Sequence, residues 1–181
     1  MSNKIFENKG LFNGNIKSML YATILLSISL ILSYIENLFP FSIGGLGIRV
    51  GLANLVTIIA LKTLDIKISF IINMLRIGII GILFASVIRV ILSISGFLLS
   101  FLIMVIMLKK LNFSIITTSI FGGVAHNIAQ ILCIALLLKN VGILILIPFY
   151  IIVGIFAGAI IGVLSDIIYK KIILLHLNKV W

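Results

Sequence analysis

Acidic residues are scarce in this chain, whose 181 residues include only four Asp and Glu against fourteen Lys and Arg. Charged residues of both signs make up 10% of the sequence, whereas about 25% is usual in soluble domains. Hydrophobic residues make up 62%, and the mean hydropathy is +1.40. These values exclude a soluble domain and predict an integral membrane protein. The net charge of +10 then reflects topology and attraction to anionic lipid, and it requires no nucleic-acid partner.

Cysteine is nearly absent, and clusters of metal-binding residues are missing from the sequence. Cys133 is the only cysteine, which excludes an intramolecular disulfide and any cysteine-based metal motif. On an apolar helix it is expected to be a packing residue. No second His, Cys or carboxylate lies at ligand spacing from His126, so no metal site is predicted. No cofactor is predicted, and the chain has no nucleotide-binding motif of its own.

Uncharged apolar runs are what the chain has in abundance. A bilayer crossing takes roughly 17 to 25 residues. Four uninterrupted runs meet that length, at 18–35, 90–108, 111–138 and 140–165. Two further runs are interrupted: the short run 50–61 follows a loop, and the run 68–85 carries Arg76. The sequence therefore predicts an all-α, integral membrane bundle of six transmembrane helices.

The distribution of Lys and Arg predicts the orientation of this bundle. If both termini are cytoplasmic, ten lysines lie on that side: Lys4, Lys9, Lys17, Lys62, Lys67, Lys109, Lys110, Lys170, Lys171 and Lys179. Only Arg49, Arg89 and Lys139 lie outside. We therefore expect a multi-pass protein of the bacterial plasma membrane with an uncleaved first helix. Its domains are a basic cytoplasmic tail (1–17), a six-helix transmembrane domain (18–170) and a second basic cytoplasmic tail (171–181).

The segment 36–49 is the one stretch with loop chemistry. Pro40 and three glycines prevent a continuous helix there, yet the segment is too apolar for an ordinary loop. Its apolar residues are Leu38, Phe39, Phe41, Ile43 and Leu46. A lid that packs onto the membrane domain and a plain re-entrant connector fit this composition equally well.

A polar cluster lies in the middle of the longest uncharged run. His126 and Gln130 are four residues apart and share one helix face, and Asn127 is adjacent to Gln130 at a spacing of three. Polar side chains in hydrocarbon are costly unless they are paired, so they usually face a bundle interior or a cavity. We therefore expect His126, Asn127 and Gln130 to converge on a ligand.

Arg76 is expected near the middle of the bilayer, about 13 Å beyond Lys67 at 1.5 Å per residue. A guanidinium at that depth needs a carboxylate, carbonyl groups, water or an anionic ligand. Glu36 is the only acid available to the outer half, where Arg49 and Arg89 add to the positive charge. An anionic or strongly polar ligand would balance this surplus, although snorkelling explains Arg49 and Arg89 equally well.

Asn54 lies near the start of the short second helix, where free N–H groups favour an anion. It is a candidate ligand contact, and a hydrogen bond to a neighbouring helix is the alternative.

The last span carries Gly154, Gly158 and Gly162 at successive spacings of four. Small residues at this spacing let two helix backbones approach closely. Internal packing is favoured over a partner interface for this glycine ladder.

Four elements together resemble one bacterial membrane family. They are Glu36 with Pro40, the run Arg49-Val50-Gly51-Leu52-Ala53-Asn54, the pair Leu75-Arg76, and the pattern Ala125-His126-Asn127-x-x-Gln130. The chain resembles the family known as Gx transporter or heptaprenyl diphosphate synthase component I. That family is distantly similar to the substrate-binding S components of energy-coupling-factor transporters. The resemblance covers about residues 25–164. It implies six helices, cytoplasmic termini and an outward-opening ligand pocket beneath the loop after the first helix.

The two family names imply different functions. The main hypothesis is a substrate-binding component for uptake of a small polar or anionic solute, resembling a vitamin or cofactor precursor. S components typically dock a coupling subunit through Ala-x-x-x-Ala on the first helix, whereas this chain has Thr23/Ser27 and Ser29/Ser33. The expected partners are the solute, membrane lipid and a coupling subunit with ATPases, or alternatively a prenyl diphosphate synthase subunit. In that alternative the chain is a non-catalytic membrane component in isoprenoid and quinone biosynthesis.

A purely structural membrane protein is the third hypothesis. The sequence argues against a stand-alone synthase, because prenyl diphosphate synthases hold Mg²⁺-diphosphate with clustered aspartates. The two aspartates of this chain, Asp65 and Asp166, are 166 − 65 = 101 positions apart.

Overall fold

The computed structural model describes residues 15–38, 51–84 and 86–177, and these residues form a helical bundle. Its six α-helices are α1 (Asn15–Leu38), α2 (Ala53–Thr63), α3 (Ile66–Phe84), α4 (Val87–Val105), α5 (Ile115–Leu137) and α6 (Ile147–Leu177). A π-helical turn, Ile106–Lys110, continues α4, and a 3₁₀ helix, Val141–Leu146, precedes α6. The predicted all-α class is confirmed for the part of the chain that the structure describes.

Five of these helical segments are long and apolar enough to cross a membrane: Ile16–Leu38, Ile66–Phe84, Val87–Lys110, Ile115–Leu137 and Val141–Leu175. The chain is therefore a multi-pass membrane protein. Helix α2 has only 11 residues, about 16 Å at 1.5 Å per residue, against a hydrocarbon core about 30 Å thick. The sixth crossing of the membrane stays a prediction.

Serine residues at two of the connections cap the starts of helices. The Ser86 and Ser114 side chains cap α4 and α5 by accepting from the backbone N–H groups of Arg89 and Thr117. Helix α6 runs past Asp166 and through Lys170, which form an ion pair at 2.7 Å with a spacing of four residues. The first seven residues of the predicted C-terminal tail, 171–177, are consequently helical.

Helix α5 lies at the centre of one half of the bundle and packs against both α4 and α6. Helix α3 packs against α1 and α4, and the short α2 contacts α1, α3 and α6. Phe97, Phe101 and Met104 of α4 form the centre of one apolar core, which also includes Ile58 of α2 and Ile115 of α5. Large apolar side chains also cover the outside of the bundle, as expected for a surface that faces lipid.

The two ends of the bundle differ in charge. Successive helices run in opposite directions along the bundle. One end therefore contains the start of α1, the α2–α3 and α4–α5 connections and the end of α6. This basic end carries seven of the described lysines: Lys17, Lys62, Lys67, Lys109, Lys110, Lys170 and Lys171. At the opposite end, the charged residues among those described are only Glu36, Arg89 and Lys139. We call this the cavity end, because the cavity described below lies toward it.

Candidate functional site

A small polar cavity lies toward the cavity end of the bundle, among α1 to α5. Its volume is about 30 Å³, enough for roughly two water molecules. The residues that line it are Ser33, Glu36, Gly51, Ala53, Asn54, Arg76, Ile77, Ile80, Gly81, Val90, Ser93 and His126. Four of the residues predicted for ligand binding, Glu36, Asn54, Arg76 and His126, thus share one cavity wall.

The Glu36 carboxylate binds the backbone at the start of α2. Its Oε1 accepts hydrogen bonds from the backbone N–H groups of Gly51, at 2.5 Å, and Leu52, at 2.7 Å. Free N–H groups and the helix dipole make the start of a helix favourable for an anion. An internal carboxylate therefore lies where the sequence suggested that a ligand anion could bind. This contact also fixes the end of α1 against the start of α2.

Asn54 presents a buried side-chain amide to the cavity. The residue is only 7% exposed, and it lines the cavity. A Cβ atom at Gly51, which has a positive φ of 81°, would lie 3.0 Å from Asn54 Nδ2. Gly51 thus provides both the turn into α2 and the space for this amide. The amide offers a donor and an acceptor to whatever occupies the cavity.

Arg76 enters the cavity from the middle of the 19-residue α3. Its Nη1 donates a hydrogen bond to Ser33 Oγ of α1 at 3.3 Å. Ser33 is buried and lies one helical turn from Glu36, so α1 presents a hydroxyl and a carboxylate to the same cavity. The cation predicted for the middle of the membrane and the one carboxylate predicted for the outer half consequently line one site.

His126 is held against the backbone of α4. A Cβ atom at Gly96 would lie 2.7 Å from His126 Cε1 and 2.9 Å from each ring nitrogen. Real Cβ atoms do not come this close to other heavy atoms. The imidazole ring therefore occupies the space that the missing side chain of Gly96 leaves open. Sequence reasoning missed Gly96, because a single glycine in an apolar helix gives no sign of which residue packs against it.

Asn127 and Gln130 do not line the cavity. Asn127 Nδ2 donates a hydrogen bond to the backbone carbonyl of Tyr150 on α6 at 3.1 Å, so its amide joins two helices. Gln130 is also buried on α5. Of the three polar residues expected to converge on a ligand, the structure places only His126 in the cavity wall.

The glycine ladder faces α5 of the same chain. A Cβ atom at Gly154, Gly158 or Gly162 would lie 2.7 to 2.9 Å from backbone atoms of α5. A Cβ atom at Gly123 of α5 would likewise lie 2.8 Å from the Gly154 carbonyl oxygen. The two backbones therefore touch along this seam, as small residues allow in membrane helices.

The remaining predicted site residues lie elsewhere. Arg49 and the loop residues 39–50 are outside the described residues. Arg89 is exposed at the start of α4 and does not line the cavity. Within residues 15–38, 51–84 and 86–177, no group of three or more His, Cys, Asp or Glu side chains is placed to hold a metal ion.

These features define a class: a multi-pass, all-α membrane protein with one basic end and a polar cavity toward the other end. The chain belongs to the heptaprenyl diphosphate synthase component I family, whose model matches residues 25–168. No curated protein and no solved structure matches the chain. The resemblance to this family is confirmed, and the more distant similarity to transporter S components stays a prediction.

Proposed function

We propose that the protein is the non-catalytic membrane component of a heptaprenyl diphosphate synthase system. The family match over residues 25–168 carries this proposal, because the family is named as component I of heptaprenyl diphosphate synthase. Chain elongation of prenyl diphosphates needs several carboxylates to hold Mg²⁺ against the diphosphate. With Asp65 and Asp166 far apart in sequence and only two glutamates, a separate catalytic subunit would supply those ligands.

The basic end is the surface proposed to meet that subunit. Lysine-rich connections face the cytoplasm in most membrane proteins, so a soluble synthase subunit would approach the bundle from this end. The lysines would attract an acidic surface on the partner and the anionic lipid around it. A long prenyl product is apolar and has to enter the membrane, which gives a reason for a membrane component.

Co-purification tests this proposal with variants at the two ends of the bundle. The full chain would be co-expressed with the catalytic synthase subunit of the same bacterium and purified from solubilised membranes. We expect the synthase subunit to co-purify with the wild type and with the control double variant Arg89→Gln/Lys139→Gln. The double variant Lys109→Gln/Lys110→Gln should recover several-fold less. All four residues are exposed, so both double variants remove two exposed charges. Absence of the subunit from the wild-type preparation would contradict the proposal.

A second candidate function is uptake of a small polar or anionic solute. One observation favours it: the polar cavity with Glu36, Asn54, Arg76 and His126 lies toward the end opposite the proposed cytoplasmic face. In this function the chain binds the solute, and other subunits or an ion gradient supply the energy. Uptake of radiolabelled solutes by cells with and without the protein tests it. Equal uptake of every solute in a vitamin and cofactor-precursor panel would contradict this function.

A further inference from the structure

One contact bounds the cavity on the side nearest the cavity end. The Glu36 carboxylate accepts from the backbone N–H groups of Gly51 and Leu52, just before α2. Ser33 and Asn54 line the cavity one helical turn further into the bundle. The Glu36 contact therefore lies between the deeper part of the cavity and the cavity end. In this arrangement the volume is about 30 Å³, so anything larger than roughly two water molecules requires a wall to move.

Helix α1 is held differently at its two ends. Toward the basic end it packs into an apolar cluster through the buried Leu25. At the cavity end its contacts include the two bonds of Glu36 and the bond from Arg76 Nη1 to Ser33 Oγ, which at 3.3 Å is long for a hydrogen bond. Polar contacts of this kind can be exchanged for bonds to water at a small net loss. The cavity end of α1 can therefore separate from α2 and α3 while its other end stays packed.

The facing walls of the cavity are interlocked. The backbones of α5 and α6 touch along the glycine ladder, and the His126 ring of α5 fills the space beside Gly96 of α4. Closely packed surfaces of this kind resist displacement, because any shift produces overlap or voids. Movement that enlarges the cavity therefore falls to α1.

We infer that Glu36 is a latch: its contact with the start of α2 holds the cavity closed, and its release lets the end of α1 move outward and opens the cavity toward the cavity end. The arrangement described above is the closed form. Uptake of a solute requires such an opening, but the inference goes beyond that candidate function and does not rest on it. Opening admits water and dissolved reagents whether or not a solute is carried.

The accessibility of a cysteine in the cavity wall tests this latch. Ala53 lines the cavity and is 1% exposed, so Ala53→Cys introduces a buried reporter. Replacing the native Cys133 by alanine makes it the single thiol of the full chain. Its rate of reaction with a bulky, charged maleimide would be measured in detergent at constant neutral pH. Adding Glu36→Gln should raise this rate by about tenfold or more, because loss of the carboxylate charge weakens both bonds to the backbone.

Two controls separate release of the latch from other effects. Asp65→Asn removes a negative charge from an exposed residue at the basic end and should leave the rate at Ala53→Cys unchanged. Ser100→Cys is a second reporter, at a position on α4 that is 2% exposed and does not line the cavity. Its rate should be the same with and without Glu36→Gln, since the core around it stays packed.

Two results would overturn the inference. One is an equal rate at Ala53→Cys in the Glu36→Gln and Asp65→Asn variants. The other is an equal increase at Ala53→Cys and Ser100→Cys, which would show that Glu36→Gln loosens the whole bundle. The experiment contains no solute. If the latch behaves as predicted and the uptake assay shows no transport, the inference stands and the uptake function fails.

Discussion

At the scale of single residues, the sequence predicted which polar side chains are buried but not what each one contacts. Helix periodicity places His126 and Asn127 about 100° apart on α5. That rotation directs His126 to α4 and the cavity, and directs Asn127 to the Tyr150 carbonyl on α6. Spacing within one helix does not identify the helix that faces it. The Glu36 contact with Gly51 and Leu52 was equally hidden, because it joins the end of α1 to the backbone just before α2, 15 and 16 residues further along the chain.

Gly96→Ala tests how His126 is positioned. The new methyl group would overlap the imidazole ring, so the ring has to move from its place in the cavity wall. We expect the rate at which diethyl pyrocarbonate modifies His126 to change several-fold, as measured by mass spectrometry. Overpacking should also lower the free energy of unfolding by about 1–3 kcal/mol.

Gly78→Ala is the matched control for this variant. A Cβ atom at Gly78 meets nothing within 4 Å, so this substitution should leave His126 unchanged. His176, the other histidine of the chain, serves as the internal reference. Equal modification rates for His126 in the two variants would show that Gly96 does not position the ring.

At the scale of helices, the sequence predicted the long membrane segments well. Each uninterrupted run contains few residues that could end a helix, and the predicted run 111–138 corresponds to α5, Ile115–Leu137. The lengths of α2 and α6 were less predictable. The length of an apolar run indicates how much of a segment can lie in the membrane. The helix itself can continue beyond that run into polar and charged residues. Helix α6 therefore extends to Leu177, well beyond its uncharged part.

Gly158→Leu tests the seam between α5 and α6. The Gly158 Cβ position is 2.7 Å from both Ile120 Cα and the Ser119 carbonyl oxygen, so a larger side chain forces the helices apart. The free energy of unfolding should fall by about 1–3 kcal/mol, measured by thermal or denaturant unfolding of the purified protein. Gly78→Leu, at an exposed position with open space around it, should change stability much less. Equal stability of the two variants would exclude a role of the seam in folding.

At the scale of the whole molecule, the asymmetric distribution of charge determines how the bundle is expected to lie in the membrane. The basic end carries most of the described lysines, and the cavity lies toward the other end. This separation could be predicted from the sequence, because Lys and Arg bias is a property of the connections alone. The cavity itself could not be predicted in detail, since it forms where five helices meet.

Reporter fusions test this orientation. Fusions after Lys62, Lys109 and Lys171 should report a cytoplasmic location, because these lysines belong to the basic end. A fusion after Lys139 should report an external location. A cytoplasmic signal at Lys139 would contradict the proposed orientation and would place the cavity toward the inside of the cell.

Reconstitution with the catalytic subunit tests the central claim most directly. The purified synthase subunit of the same organism would be supplied with an allylic diphosphate, isopentenyl diphosphate and Mg²⁺, together with lipid vesicles that contain or lack this protein. The account predicts that heptaprenyl diphosphate forms at least tenfold faster with the protein-containing vesicles, and that these vesicles form none without the synthase subunit. Equal rates and equal product lengths with both kinds of vesicle would contradict it.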